Sequence, residues 1–133
     1  MEKQFFNPSN MHRPRGYSHA VAADGGRLIF IAGQVALDKE GNLVGKGDLR
    51  TQTEKALDNL VAALAAAGAT PADVVKVNTY VVNYRPADLP IIREARARVF
   101  EGQNPPASTL IGVQALAVEE LLIEIEAVAV LSE

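Results

Sequence analysis

Two carboxylates stand out in the last stretch of the chain, Leu121-Leu122-Ile123-Glu124-Ile125-Glu126-Ala127-Val128-Ala129-Val130. Side chains of an extended strand alternate between its faces. Leu121, Ile123, Ile125, Ala127 and Ala129 therefore share one face, and Leu122, Glu124, Glu126, Val128 and Val130 share the other. The first face is wholly apolar and must lie on a core. A carboxylate on the second, otherwise apolar face is costly to bury unpaired, and burial raises its pKa toward the range of a general acid or base. Glu124 is thus a candidate for handling water and protons. The plainer alternative is that one or both glutamates pair with an arginine across a subunit interface.

Other residues offer weaker chemistry. Tyr17, after Arg15-Gly16, can set a phenol at the mouth of a cleft, although packing is the commoner use of a strand-starting tyrosine. Arg93, Arg96 and Arg98 lie on one expected helix. Arg96 and Arg98 are expected on its solvated face, whereas the placement of Arg93, one residue beyond the inward Ile92, stays open. The hydroxyls of Ser108 and Thr109 can hold a small anion or satisfy edge backbone groups. The chain has no Gly-x-Gly-x-x-Gly, Walker or Gly-x-Ser-x-Gly motif, so nucleotide and serine-hydrolase readings lack their signatures. His12 and His19 are the only histidines and neither has metal-ligand spacing, so no dedicated metal site is expected. With no cysteine there is no disulfide framework and no thiolate nucleophile.

A chain of 133 residues is expected to form one domain, 1–133, with a real hydrophobic core. Net charge is −3 and the pI is about 5.4, so no basic field favours nucleic acid or an anionic membrane as the main partner. No apolar run approaches the roughly 20 residues that span a bilayer. Met1-Glu2-Lys3-Gln4 lacks the regions of a signal peptide, and a cytoplasmic protein is expected.

The elements that must position these residues follow from periodicity. A short strand is read at Gln4–Phe6 and another over Tyr17–Ala22, ended by the turn signal Asp24-Gly25-Gly26. Arg27–Ala32 is a near-continuous apolar run, hence a buried strand stopped by Gly33-Gln34. Asp48 is a plausible N-cap for a helix to Ala67, with Leu57, Leu60, Val61 and Leu64 on one stripe and Gly68 as its stop. Thr70-Pro71-Ala72-Asp73 predicts one helical turn. A strand over Val74–Val82, a helix over about 89–100 with Ile92, Ala95 and Val99 inward, and two final strands complete the chain. The order β-β-β-α-β-α-β-β is an α+β pattern whose two helices can cover only one sheet face. The half-apolar other face then calls for another subunit, so a homo-oligomer is expected.

Taken together, several short segments resemble the RidA/YjgF family, also called L-PSP. They are Arg15-Gly16-Tyr17-Ser18-His19-Ala20-Val21, Ile31-Ala32-Gly33-Gln34-Val35, Thr51-Gln52 with Leu57-Asp58-Asn59-Leu60, and Ala66-Ala67-Gly68-Ala69. Later come Asp73-Val74-Val75-Lys76-Val77-Asn78-Thr79-Tyr80-Val81, Pro105-Pro106-Ala107-Ser108 and Ile123-Glu124-Ile125-Glu126-Ala127-Val128-Ala129. The resemblance implies a chorismate-mutase-like subunit in a homotrimer, with a pocket for a small-molecule metabolite at each subunit interface. It implies hydrolysis of enamines or imines, such as 2-aminoacrylate, to a 2-keto acid and ammonia without a cofactor. It also places the family's water-handling glutamate at Glu124, its pocket tyrosine at Tyr17 and its pocket glycine at Gly33.

The family's arginine does not carry over. Where deaminase members read Pro-Ala-Arg-Ser, this chain reads Pro106-Ala107-Ser108-Thr109, and Ala32 replaces the serine before the glycine. A serine hydroxyl cannot replace the charge of a bidentate guanidinium. A substrate other than 2-aminoacrylate is therefore expected, its polar end received by Ser108 and Thr109. Arg93 stands where relatives carry a small polar residue, from which it can reach the same anion. Two further readings stay open: a metabolite-binding regulatory trimer without turnover, and, disfavoured by the acidic pI, an endoribonuclease.

Overall fold

The computed structural model describes residues 2–100, 102 and 104–132. Its centre is the strand on which the two glutamates lie. Chain order is β1 Lys3–Phe6, β2 Ala20–Ala23, β3 Arg27–Gln34, α1 Leu49–Ala66, β4 Val74–Val82, α2 Leu89–Val99, β5 Ala107–Val113 and β6 Ile123–Leu131. This is the α+β order read from the sequence. Four strands form a mixed sheet in the order β3-β6-β4-β5, while β1 and β2 pair separately. Strand β6 runs antiparallel to both β3 and β4. Strands β4 and β5 are parallel, which requires a crossover, and α2 supplies it.

Both helices lie on one sheet face. Leu57, Leu60 and Leu64 of α1 and Ile92 and Ala95 of α2 pack with Ile123, Ile125, Ala127 and Ala129 of β6 in one core. Leu121 is buried with them, as the alternation of the sequence requires, although β6 itself begins at Ile123. On the other face Phe30 remains 74% exposed and Leu28 59%. They pair with Val128 and Val130 of β6, so the apolar second face continues across two strands, and among the described residues nothing covers Phe30 and Leu28.

Local chemistry sets the element ends. Asp48 accepts from the Thr51 amide at 3.1 Å and from the Thr51 hydroxyl at 2.8 Å, which caps α1. Gly68 takes a left-handed φ of 82° beyond the helix, and the Arg27 guanidinium donates to the Ala67 carbonyl at 2.9 Å. Gln52, fully buried, ties α1 to two loops. Its amide donates to the carbonyls of Gly45 (3.1 Å) and Glu120 (2.9 Å) and accepts from the Leu122 amide (2.8 Å). The expected turn at 71–73 is a single 3-10 turn, with the Thr70 amide donating to Asp73 at 2.8 Å.

Two expectations about strands shift. The strand read over Tyr17–Ala22 begins only at Ala20. Ser18 is held instead by the free edge of β5, its amide donating to the Pro106 carbonyl at 3.0 Å and its hydroxyl to the Pro105 carbonyl at 2.6 Å. Strand β3 runs past Ala32 to Gln34 because the β3–β6 register shifts between Ile31 and Gln34. Such a bulge changes which way the intervening side chains point.

Candidate functional site

A cationic cavity forms where α2 packs against the edge strand β5. Ile92 and Ala95 seat α2 on the core, and Arg96 follows Ile92 by four residues, which keeps it on the same stripe. It is only 6% exposed. Its Nη1 donates to the Ser108 hydroxyl at 3.2 Å. Burial pushes the Arg96 pKa down, and the charge of Arg93 adds to the effect. This corrects the expectation that Arg96 lies on a solvated face. The signal was available in its i+4 spacing from Ile92, but residue type outweighed position.

The cavity has a volume of about 330 Å³ and is lined by Arg15, Tyr17, Tyr84, Arg93, Arg96 and Ser108, among others. A second one of about 520 Å³ adjoins the same three arginines on the side of Gly16, Ala97 and Phe100. Tyr84 reaches this position because residue 112 is glycine: a Cβ there would lie 2.9 Å from the Tyr84 Cβ. Among the described residues, none of Arg15, Arg93 and Arg96 is in a salt bridge.

Tyr17 has a setting that the sequence did not disclose. Its hydroxyl lies 2.8 Å from His12 Nε2, and His19 Nε2 donates to the His12 carbonyl at 2.8 Å. The two imidazoles meet edge to face with centroids 4.7 Å apart. Both histidines thus frame the phenol. Only the turns of the N-terminal segment bring them together, and spacing alone does not encode those.

The remaining predicted site residues lie on the other side of the sheet. Glu124 and Glu126 share the uncovered face of β6. The β3 bulge turns Gly33 toward Glu124, and a Cβ at residue 33 would overlap the Glu124 carboxylate, so glycine permits this approach. Glu126 accepts a hydrogen bond from the Tyr80 hydroxyl. That bond raises the Tyr80 pKa, with smaller contributions from desolvation and from the charges of Glu126 and Glu124. Thr109 faces this side too, accepting from Lys76 Nζ at 2.6 Å.

Ser108 and Thr109 therefore diverge. Adjacent strand residues point to opposite faces, so within one chain the two hydroxyls cannot receive one polar group together. The structure brings Tyr17, Arg93 and Ser108 into one cavity and adds Arg96 and Arg15. It sets Glu124, Gly33 and Thr109 on the opposite face.

Two helices on one face of a mixed sheet, a partly apolar second face and a cavity between helix and edge strand define an α+β fold of the YjgF/Rid type. Residues 9–131 match the family described as Endoribonuclease L-PSP, and the chain belongs to this RidA/YjgF family. A RutC family protein of Pyrococcus horikoshii is 38% identical over 128 residues, covering 96% of this chain and 97% of its own length. A 2-iminobutanoate/2-iminopropanoate deaminase of Dermatophagoides farinae is 32% identical over 115 residues, covering 86% and 85%. The crystal structure of a conserved Rid-family protein from Yersinia pestis matches with a TM-score of 0.93 at 51% identity, over 98% of this chain and 100% of that one.

Proposed function

We propose that this protein hydrolyses an enamine or imine metabolite to a carbonyl compound and ammonia, in a pocket completed between subunits of a homotrimer. One observation carries the reading: the buried guanidinium of Arg96 stands against Ser108, the residue at the position where deaminase relatives bear their arginine. The positive charge lost from the strand is returned from the neighbouring helix.

Hydrolysis of a C=N bond needs water to add to the carbon while the nitrogen gains a proton. The resulting carbinolamine then breaks its C–N bond, releasing ammonia and forming the carbonyl. In this scheme Arg96, Ser108 and Arg93 hold the substrate's anionic end. Glu124 accepts the proton of the attacking water and returns it to the leaving nitrogen, with Tyr17 assisting. No cofactor takes part. Since Glu124 and the cavity lie on opposite faces of one sheet, the glutamate comes from a neighbouring subunit docked through the uncovered face. The exposed Phe30 and Leu28 support such docking.

That separation equally favours a second reading, a metabolite-binding regulatory trimer in which Glu124 never meets the ligand. Ammonia release from freshly generated 2-aminoacrylate and from larger imino acids distinguishes the two, alongside a solution mass by light scattering. The expected result is a trimer that turns over larger imino acids, with activity lost in Glu124→Ala and in Arg96→Gln. A trimer that binds 2-keto acids yet releases no ammonia from any imine is the regulatory protein instead.

A further inference from the structure

The same cavity holds more positive charge than one carboxylate can use. Elsewhere three arginines meet carboxylates: Arg98 meets Glu54 at 2.9 Å, Arg50 meets Glu94 at 3.2 Å and Arg85 meets Asp88 at 3.4 Å, while Arg27 donates to the Ala67 carbonyl. Even Arg98, on the same helix as Arg93 and Arg96, is paired. Three arginines line the cavity and, among the described residues, none is in a salt bridge. One of them is nine-tenths buried, where an uncompensated charge is most costly. A guanidinium does not escape that cost by losing its proton in any ordinary pH range. Among the described residues no carboxylate matches this charge, and an anionic ligand can supply it.

Resting on the proposed hydrolysis for its site, we infer that the ligand of this cavity carries two anionic groups, and that its class is a short dicarboxylate: a dicarboxylic imino acid as substrate and the corresponding keto acid as product. The arginines are graded in depth. Arg96 is buried and bonded to Ser108, Arg93 is half-buried, and Arg15 is exposed on the N-terminal segment. Arg93 and Arg96 are three residues apart on α2, so their side chains leave the same face of the helix about 5–6 Å apart at Cβ. A single carboxylate can accept the fork of one guanidinium in bidentate fashion, which leaves the others facing each other unmatched. A second carboxylate matches them: the inner group takes Arg96 with Ser108, and the outer takes Arg93 with Arg15. A cavity of about 330 Å³ suits a ligand of this size.

The test is calorimetric titration of the full-length protein at constant ionic strength. The probes are succinate, glutarate and 2-oxoglutarate against butyrate, valerate and 2-oxovalerate, with sulfate as a control for general anion binding. The expected result is affinity at least about tenfold higher for the dicarboxylates than for monocarboxylates of equal length, the step of one additional ion-paired contact. Arg93→Gln and Arg15→Gln each drive that ratio toward one, whereas Arg98→Gln, which alters a paired surface arginine of the same helix, leaves it intact. Equal affinities in the wild type overturn the inference, as does a ratio that survives both substitutions or tight binding of sulfate alone. Parallel ammonia assays separate the two claims. Monocarboxylic imines turned over with no dicarboxylate preference would sink the inference and leave the hydrolase. Dicarboxylate-selective binding without turnover of any imine would uphold the ligand class and sink the hydrolase.

Discussion

Replacing Arg96 by methionine separates a buried charge that serves a ligand from one that serves the fold. The side chain is 6% exposed, and its hydrogen bond is to a neutral hydroxyl at 3.2 Å. If nothing else in the free protein matches the guanidinium, its desolvation is uncompensated. Exchanging a buried ion for an apolar side chain of similar length is then neutral or stabilising, by about 1–4 kcal/mol in comparable cases. Against this stands the lost hydrogen bond to Ser108, about 1.5–3 kcal/mol for a charged donor, less what water restores at a half-buried hydroxyl. The expected net change lies between a loss of about 2 kcal/mol and a gain of about 2.5 kcal/mol, the difference of those two ranges. For a protein of this size that is a shift in Tm of up to about 8 °C in either direction. Breaking an ion pair that holds the fold together would instead cost about 3–5 kcal/mol. Thermal and urea denaturation at fixed protein concentration measure the difference. Added succinate should raise the Tm of the wild type and leave that of Arg96→Met unmoved, since the stabilisation is linked to binding. A loss above about 3 kcal/mol without ligand would refute the reasoning, because it requires a partner for Arg96 that the fold needs.

Other perturbations follow from single observations. Gln52→Leu strands two carbonyls and one amide at the junction of α1 with its loops, and should lower stability by about 2–4 kcal/mol in urea unfolding, water restoring part of the loss at the exposed Glu120. Thr79 Oγ1 is buried with no hydrogen-bond partner among the described residues, so Thr79→Val, of equal shape, should gain about 1 kcal/mol; a loss would mean that the hydroxyl finds a partner. Tyr80 is held neutral by Glu126, and its pKa lies above the ordinary tyrosine value of 10.0. Its contribution to stability is therefore complete below that value and lost as pH rises through the elevated one. Ultraviolet difference titration should show a late phenolate component that vanishes in Tyr80→Phe and moves to lower pH in Glu126→Gln.

The architecture was legible because periodicity reports burial. The alternation from Leu121 to Ala129 and the stripe Leu57, Leu60, Leu64 placed the core and left one sheet face open. The candidate site was legible only in fragments. Gly33 and Glu124 meet through a bulge, and a register shift leaves no mark in the alternation of Ile29 and Ile31. Tyr17 and its two histidines meet through irregular turns, beyond the reach of any period. Ser108 and Thr109 were treated as a pair although strand geometry alone divides them. Arg96 was misplaced because a charged residue on an inward stripe reads as surface until something shows that the stripe continues beneath it.

Moving a cationic anchor from a strand to a helix changes what a site can recognise. The residues two before and two after position 108 are Pro106, just ahead of β5, and Leu110 on its same face, so a strand arginine there would stand alone, one charge held perpendicular to the sheet. Side chains three apart on a helix leave one face together, so α2 presents two guanidiniums where the strand would present one. The serine at position 108 is then no longer a vacancy. Its hydroxyl accepts from Arg96, fixing the inner guanidinium against β5 while the outer one stays less buried. On this account Ser108→Arg would not restore a simpler anchor. It would place a third charge beside two already crowded ones, at the like-charge cost that short separations impose. The variant should bind dicarboxylates no better than the wild type and unfold at lower temperature. Succinate should narrow that gap, since an added dianion screens the crowding. If Ser108→Arg proves as stable as the wild type without ligand, the guanidiniums of α2 do not occupy the space that the strand arginine would need.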